Sequence, residues 1–174
     1  EGARWDARRD ELLRVDIVAG RVYRDRVTAD GSLELVQSYD VPGTVGAIVP
    51  IDGDDGWLLA AGRGFAHLSP DGAIRVLAEV VDDDSRMNDG VCDPQGRFWA
   101  GSMDDTQRQA SGALYRIDPD RNITRVDDDY RICNGPAFSP DGRTMYHNDT
   151  ARNVTYAFDL DADGTASNRR TFVK

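Results

Sequence analysis

Apolar residues fall in short bursts separated by clusters of Asp, Gly, Pro and Ser, and nowhere does a helical apolar period persist for three turns. This pattern predicts short strands joined by tight turns, with few helices. One stretch shows it in full. Val45 to Pro50 reads as a strand, Asp52 to Gly56 as a turn, Trp57 to Ala61 and Phe65 to Leu68 as strands, and Ser69-Pro70-Asp71-Gly72 turns the chain into Ile74 to Val80. Pro and Gly at these places set the φ values that tight hairpins need.

The same unit recurs. Arg86 to Met103 carries Asn-Asp-Gly, a short apolar run, the turn Asp93-Pro94-Gln95-Gly96 and an aromatic strand, and Asn134 to Asp149 repeats the order around Ser139-Pro140-Asp141-Gly142. Two further copies are Glu1–Asp6 followed by Leu12–Ile17, and Ala47–Asp52 followed by Trp57–Ala61. The outer turns repeat too, with Gly31, Gly72, Asn122 and Gly164 lying 41, 50 and 42 residues apart. Four strands per unit at a period of about 40 to 50 residues is the signature of a β-propeller. The expectation is an all-β chain, a β-propeller of four-stranded blades with about four blades visible, in one domain over 1–174 with repeats roughly 1–40, 41–81, 82–127 and 128–174.

Aligning the repeats puts equivalent positions in register. Five residues before the first Asp or Ser of each inner turn stand Glu1, Ala47, Asn88 and Asn134. In a propeller the first strand of each blade lines the central channel, so these side chains are expected near the axis. A single Asn at a strand start commonly makes a turn bond. Three oxygen donors in register, without thiolate or imidazole, suit a hard cation such as Ca²⁺, Mg²⁺ or Mn²⁺ instead. Arg86, two residues before Asn88, shares its strand face if the strand is regular. It is then placed to hold a substrate oxygen, or alternatively to pair with the run Asp82-Asp83-Asp84. That run and Asp127-Asp128-Asp129, one repeat on, read as solvated connections.

Composition narrows the partners. With 174 residues, 40% hydrophobic and 30% charged, the chain is not a disordered one, and a net charge of −10 with scattered basic residues argues against nucleic acid and anionic membranes as partners. No apolar window is long enough to span a bilayer, and no leader-like segment opens the chain, which suggests a cytoplasmic protein. Cys92 and Cys133 sit at offsets of opposite parity in their repeats, so they are expected to stay unlinked as small buried hydrophobes.

The blocks at 1–24, 86–103, 112–117 and 134–150 resemble, in this order, those of the gluconolactonase family that includes regucalcin, also called senescence marker protein. The resemblance covers essentially the whole chain. It implies a six-bladed propeller with one divalent metal ion (Ca²⁺, Zn²⁺, Mg²⁺ or Mn²⁺) in the channel, and hydrolysis of a small-molecule sugar lactone. It puts Glu1 and Asn134 on metal ligands, and Arg86 and Asn88 on residues that contact substrate or the water beside the metal; Asn134 also lies close to the substrate. A further acidic ligand, usually assigned as the general base, would lie beyond Lys174. The catalytic residue is therefore unassigned, and a four-unit piece alone is expected to be inactive.

Asp159 to Gly164 matches the start of an EF-hand loop, but Arg170 stands where the closing Glu belongs. His147 falls in a strand and reads as packed there. The loop Asp104 to Ser111 is polar enough to form part of a lid. Another esterase or phosphotriesterase on the same scaffold, or a non-enzymatic calcium-binding module, are the competing readings, and oligomeric state is not encoded in any pattern found.

Overall fold

The computed structural model describes all residues from Glu1 to Lys174. The protein is all-β, with sixteen strands in four four-stranded antiparallel sheets and one short 3₁₀ helix at Thr150–Arg152. Strands follow one another in space as in sequence. The first sheet is β1 (Arg4–Asp6), β2 (Glu11–Asp16), β3 (Arg21–Val27) and β4 (Leu33–Asp40); the second is β5 (Val45–Pro50), β6 (Trp57–Ala61), β7 (Gly64–Leu68) and β8 (Ile74–Glu79). The third is β9 (Ser85–Cys92), β10 (Phe98–Asp104), β11 (Gly112–Ile117) and β12 (Ile123–Tyr130), and the fourth is β13 (Cys133–Phe138), β14 (Thr144–Asp149), β15 (Val154–Leu160) and β16 (Ala166–Val173). The chain divides into two compact units, Glu1–Val81 and Asp82–Lys174, each holding two sheets.

A four-stranded sheet has two faces and cannot bury either alone, so in each unit the sheets pack on one another. In the first unit Leu13, Val15 and Val22 meet Val45, Ile48, Trp57 and Leu59 in one core. In the second, Trp99 and Leu114 meet Met145, Phe158 and Leu160, with the Trp99 and Phe138 rings 5.6 Å apart. Full burial of side chains this size is worth roughly 1.5–3 kcal/mol each.

The inner turns do more than reverse the chain. Asp6, with no exposed surface, accepts from the Trp57 indole N–H at 3.1 Å and from Arg9 at 3.1 Å, while Arg8 and Arg9 reach on to backbone carbonyls at Ile51, Asp54 and Asp55. The second unit repeats the device. Asp93 accepts from the Trp99 indole at 2.9 Å, the Arg97 side chain at 2.5 Å and the amides of Gln95 and Arg97 at 3.0 Å each. Arg97 and Arg116 then donate to the carbonyls of Ala162 and Gly164 in the outer turn of the fourth sheet. Each turn carboxylate thus holds guanidinium groups, Arg8 and Arg9 on Asp6 and Arg97 on Asp93, that donate to turn carbonyls of the neighbouring sheet, while Arg116 is paired with Asp118.

One expectation is corrected. The third sheet runs through Tyr130, and Asp127-Asp128-Asp129 belong to β12 and not to a solvated loop. The cause is Tyr130: its buried ring draws the strand onward, its hydroxyl donates to Asp127, and Arg169 pairs with the same carboxylate at 3.1 Å. Asp129 takes up the irregularity in a left-handed conformation (φ 64°).

Replacing Asp93 by Ala leaves the buried Arg97 cation without its carboxylate and strips the Trp99 indole of its acceptor. Loss of one partner of a buried pair costs about 3–5 kcal/mol. Urea denaturation of Asp93→Ala should show a destabilisation of that order; a loss below about 1 kcal/mol would mean the turn carboxylate is not what holds these sheets.

Candidate functional site

The inner strand of every sheet leaves its hydrogen-bonding ladder near the same aligned position. In the first sheet Glu1 exchanges backbone bonds with Val15 (2.7 and 2.9 Å) and Arg4 pairs with Leu13, so one extra residue is accommodated between them, with Gly2 at φ 63°. The second sheet slips between Val45 and Ala47, the third opposite Ala100 to Ser102, where Asn88 and Asp89 together face Gly101, and the fourth between Asn134 and Ala137. These are β-bulges, which break the strict alternation of side chains and re-aim the residues beside them. Polar side chains in otherwise apolar inner strands are thereby turned out of the sheet packing.

In the second unit this brings Arg86, Asn88 and Asn134 into one hydrogen-bonded line. Arg86 Nη1 donates to Asn88 Oδ1 at 2.9 Å, and Asn88 Nδ2 donates to the Cys133 carbonyl at 2.7 Å and to Asn134 Oδ1 at 3.3 Å. Asn134 Nδ2 donates in turn to the Thr150 hydroxyl at 2.7 Å. The meeting of β9 and β13 depends on Gly101: a Cβ there would lie 2.2 Å from that of Cys133. Only a residue without a side chain lets Cys133, and with it Asn134, come so near Asn88.

Arg86 also faces Asp105, in the turn after the next strand, at 3.6 Å. Asp89, between Asn88 and Gly90, accepts from the Gly135 amide at 2.9 Å and ties the two bulges together. Asp104 closes the turn after β10, its carboxyl held below the ordinary range by the Thr106 hydroxyl and by the Arg108 and Gln109 amides. Burial pushes the Cys133 thiol well up, and neither Cys92 nor Cys133 forms a disulfide.

Of the residues singled out from sequence, Arg86, Asn88 and Asn134 therefore meet; Glu1 stands exposed at the bulge of the first unit, and Ala47 is buried in the second sheet. Asp89, Asp105 and Thr150 escaped notice. A signal for the last two was present, since Asp104-Asp105 and Asp149-Thr150 stand at the end of the second strand of successive repeats.

The donors on hand are hard. Asn134 Oδ1 has one N–H contact, at 3.3 Å, and keeps a lone pair for a cation. No group of three or more His, Cys, Asp or Glu side chains that could hold a metal ion is present in the chain, and the donors at Asn88 and Asn134 are amide oxygens, the type that hard divalent ions take.

A family model described as "SMP-30/Gluconolactonase/LRE-like region" matches residues 1–174, and the chain belongs to this family. It is 35% identical over 169 residues to a 6-deoxy-6-sulfogluconolactonase of Pseudomonas putida, a match covering 95% of this chain and 56% of that protein. It is also 35% identical over 179 residues to regucalcin of Xenopus laevis, covering 98% of this chain and 58% of the relative. Among solved structures, regucalcin from Agrobacterium tumefaciens, described as a calcium-binding protein, superposes with a TM-score of 0.86 at 26% identity over 99% of this chain and 58% of the other. The chain thus spans somewhat over half the length of these relatives. The four-stranded sheets are blades of the β-propeller type found in these neighbours.

His147 lies outside this machinery. It is wholly buried in β14, edge-on to Tyr130 at 4.8 Å, with both ring nitrogens lacking a hydrogen-bond partner, and burial lowers its pKa to about 3. The folded protein keeps this ring neutral, whereas the unfolded chain takes up a proton below the ordinary value near 6.5. The stability it contributes is full above that value and is lost as pH falls toward 3. Denaturation of wild type and His147→Phe between pH 6 and 4 should show the wild type losing more stability, by up to about 1.4 kcal/mol per pH unit. Parallel pH profiles would contradict this.

Proposed function

We propose that the chain forms part of a divalent-metal-dependent hydrolase that opens sugar lactones, such as gluconolactone, to the hydroxy acid. The observation that carries the reading is the line Arg86, Asn88, Asn134, in which a fixed cation and two oriented amides lie beside an oxygen suited to a metal ion, in a family whose relatives include a sulfogluconolactonase. We take the four sheets as successive propeller blades, with Asn134 as a ligand of the cation and Glu1, at the aligned position of the first repeat, as the ligand that the family resemblance implies. Oxygen donors favour Ca²⁺, Mg²⁺ or Mn²⁺, and Zn²⁺ belongs in the same trial.

When bound, the cation supplies Lewis-acid polarisation of a carbonyl oxygen. The chain's own residues select and orient. Arg86 only donates, so it prefers a ring hydroxyl or carbonyl oxygen, and Asp105 keeps its fork directed. Asn88 is half of the same clamp, its amide aligned by Arg86 and by the Cys133 carbonyl. Asn134, which accepts from Asn88, would hold the metal ion through its Oδ1 beside that clamp. No helix is long and apolar enough to cross a membrane, and thiols rather than a disulfide at Cys92 and Cys133 suit the reducing cytoplasm in which we place the protein.

The test is hydrolysis of a panel of aldonolactones by the complete gene product, followed by proton release, with chelator and metal add-back, beside Asn134→Ala. Hydrolysis lost to chelator, restored by metal and reduced on the order of 100-fold or more in the variant is expected. If metal binds and no lactone reacts, the reaction is a different one and an ester or phosphotriester substrate takes its place.

A further inference from the structure

The network fixes which way each amide points. Arg86 can only donate, so the Asn88 atom 2.9 Å from it is the oxygen. The Cys133 carbonyl can only accept, so the Asn88 atom 2.7 Å from it is the nitrogen. Asn88 therefore presents N–H to Asn134, whose facing atom must be its oxygen, and the Asn134 nitrogen is left pointing at Thr150, 2.7 Å away. A hydroxyl can accept that bond and still donate another.

Thr150 is held independently of the site. Its amide donates to the Ile132 carbonyl at 3.0 Å, two residues before Asn134. The preceding Asp149, wholly buried, accepts from the amides of Arg131 (3.0 Å), Ile132 and Arg152 (3.3 Å each). The hydroxyl is thus anchored to the same connection that delivers Asn134. From the backbone side, Asn148 Nδ2 donates to the Asn134 carbonyl at 3.3 Å and is itself aligned by Thr155.

We infer that Thr150 is a positioning residue: its hydroxyl accepts the Asn134 amide and so keeps Oδ1 turned toward the ligand site. The inference rests on Asn134 being a metal ligand. Orienting groups behind a metal ligand are commonly worth 10- to 100-fold in affinity.

Thr150→Val keeps the shape and removes the acceptor, Thr150→Ser keeps the acceptor, and Thr150→Ala stands in if the valine variant does not fold. Two readouts are taken on the complete gene product: the side-chain amide proton signals of metal-free Asn134, and titration with Ca²⁺ alone. Thr150→Val is expected to shift the amide signals and weaken Ca²⁺ binding about 10- to 100-fold. Thr150→Ser should leave the signals in place and the affinity within about threefold, well short of the loss given up with an orienting group. Amide signals unmoved in Thr150→Val, unchanged affinity in Thr150→Val, or no rescue by Ser would each overturn the role. Asn134→Ala separates the two levels: if that variant binds Ca²⁺ like wild type, the metal reading itself fails, whereas loss there with wild-type behaviour in Thr150→Val sinks only the positioning role.

Discussion

Two carboxylates taken wholly or nearly wholly out of water, Asp6 and Asp93, tie the inner turns to the buried tryptophans and, through Arg8 and Arg97, to the adjoining sheets. Removing a charge from water costs several kcal/mol, which is recovered only where geometry and additional hydrogen bonds are good. Here each turn carboxylate receives an indole N–H, a guanidinium and at least one amide of its own turn. The guanidinium groups so fixed, those of Arg8 and Arg97, donate to turn carbonyls of the adjoining sheet at Ile51 and Ala162. Polar bonds thus set how two sheets register within a unit, and the buried Trp rings fill the space between them.

The candidate site follows from a second constraint. An antiparallel strand that kept its alternation would point half its side chains into the neighbouring sheet, where Asn88 or Asn134 would be costly. A bulge in each inner strand releases them, and Gly101 lets two inner strands approach until their amides touch. Arg86 and a backbone carbonyl, each able to play only one hydrogen-bonding role, then polarise the whole line. The result is an ordered row of donors and acceptors before any ligand arrives, which lowers the cost of binding one.

Much of this was legible from the residues. Asp-Pro-x-Gly and Ser-Pro-Asp-Gly turns followed by aromatic strands at a steady period gave the strands of the second sheet almost to the residue, because a tight turn demands a particular backbone that few residue types allow. The repeat alignment also reached Arg86, Asn88 and Asn134, since positions at equal distance from equivalent turns occupy equivalent places. It failed at Asp127 to Asp129, where a run of charge reads as solvated until a buried tyrosine three residues after Asp127 draws it into a strand. The assumption of a regular strand between Arg86 and Asn88 also gave way: the two do meet, but through a hydrogen bond beside a bulge.

The sequence by itself determined the local grammar, namely strand lengths, turn types, the repeat and the polar positions aligned within it, because each depends on backbone preferences acting over a few residues. What only the tertiary structure decided is which aligned positions touch and in what sense. Asp105 reaching Arg86, Asp89 tying two bulges and Thr150 orienting Asn134 join residues up to 46 positions apart. Contacts of that kind depend on how closely two sheets approach, and that distance is set by packing at places such as Gly101, not by any preference of the residues that finally meet.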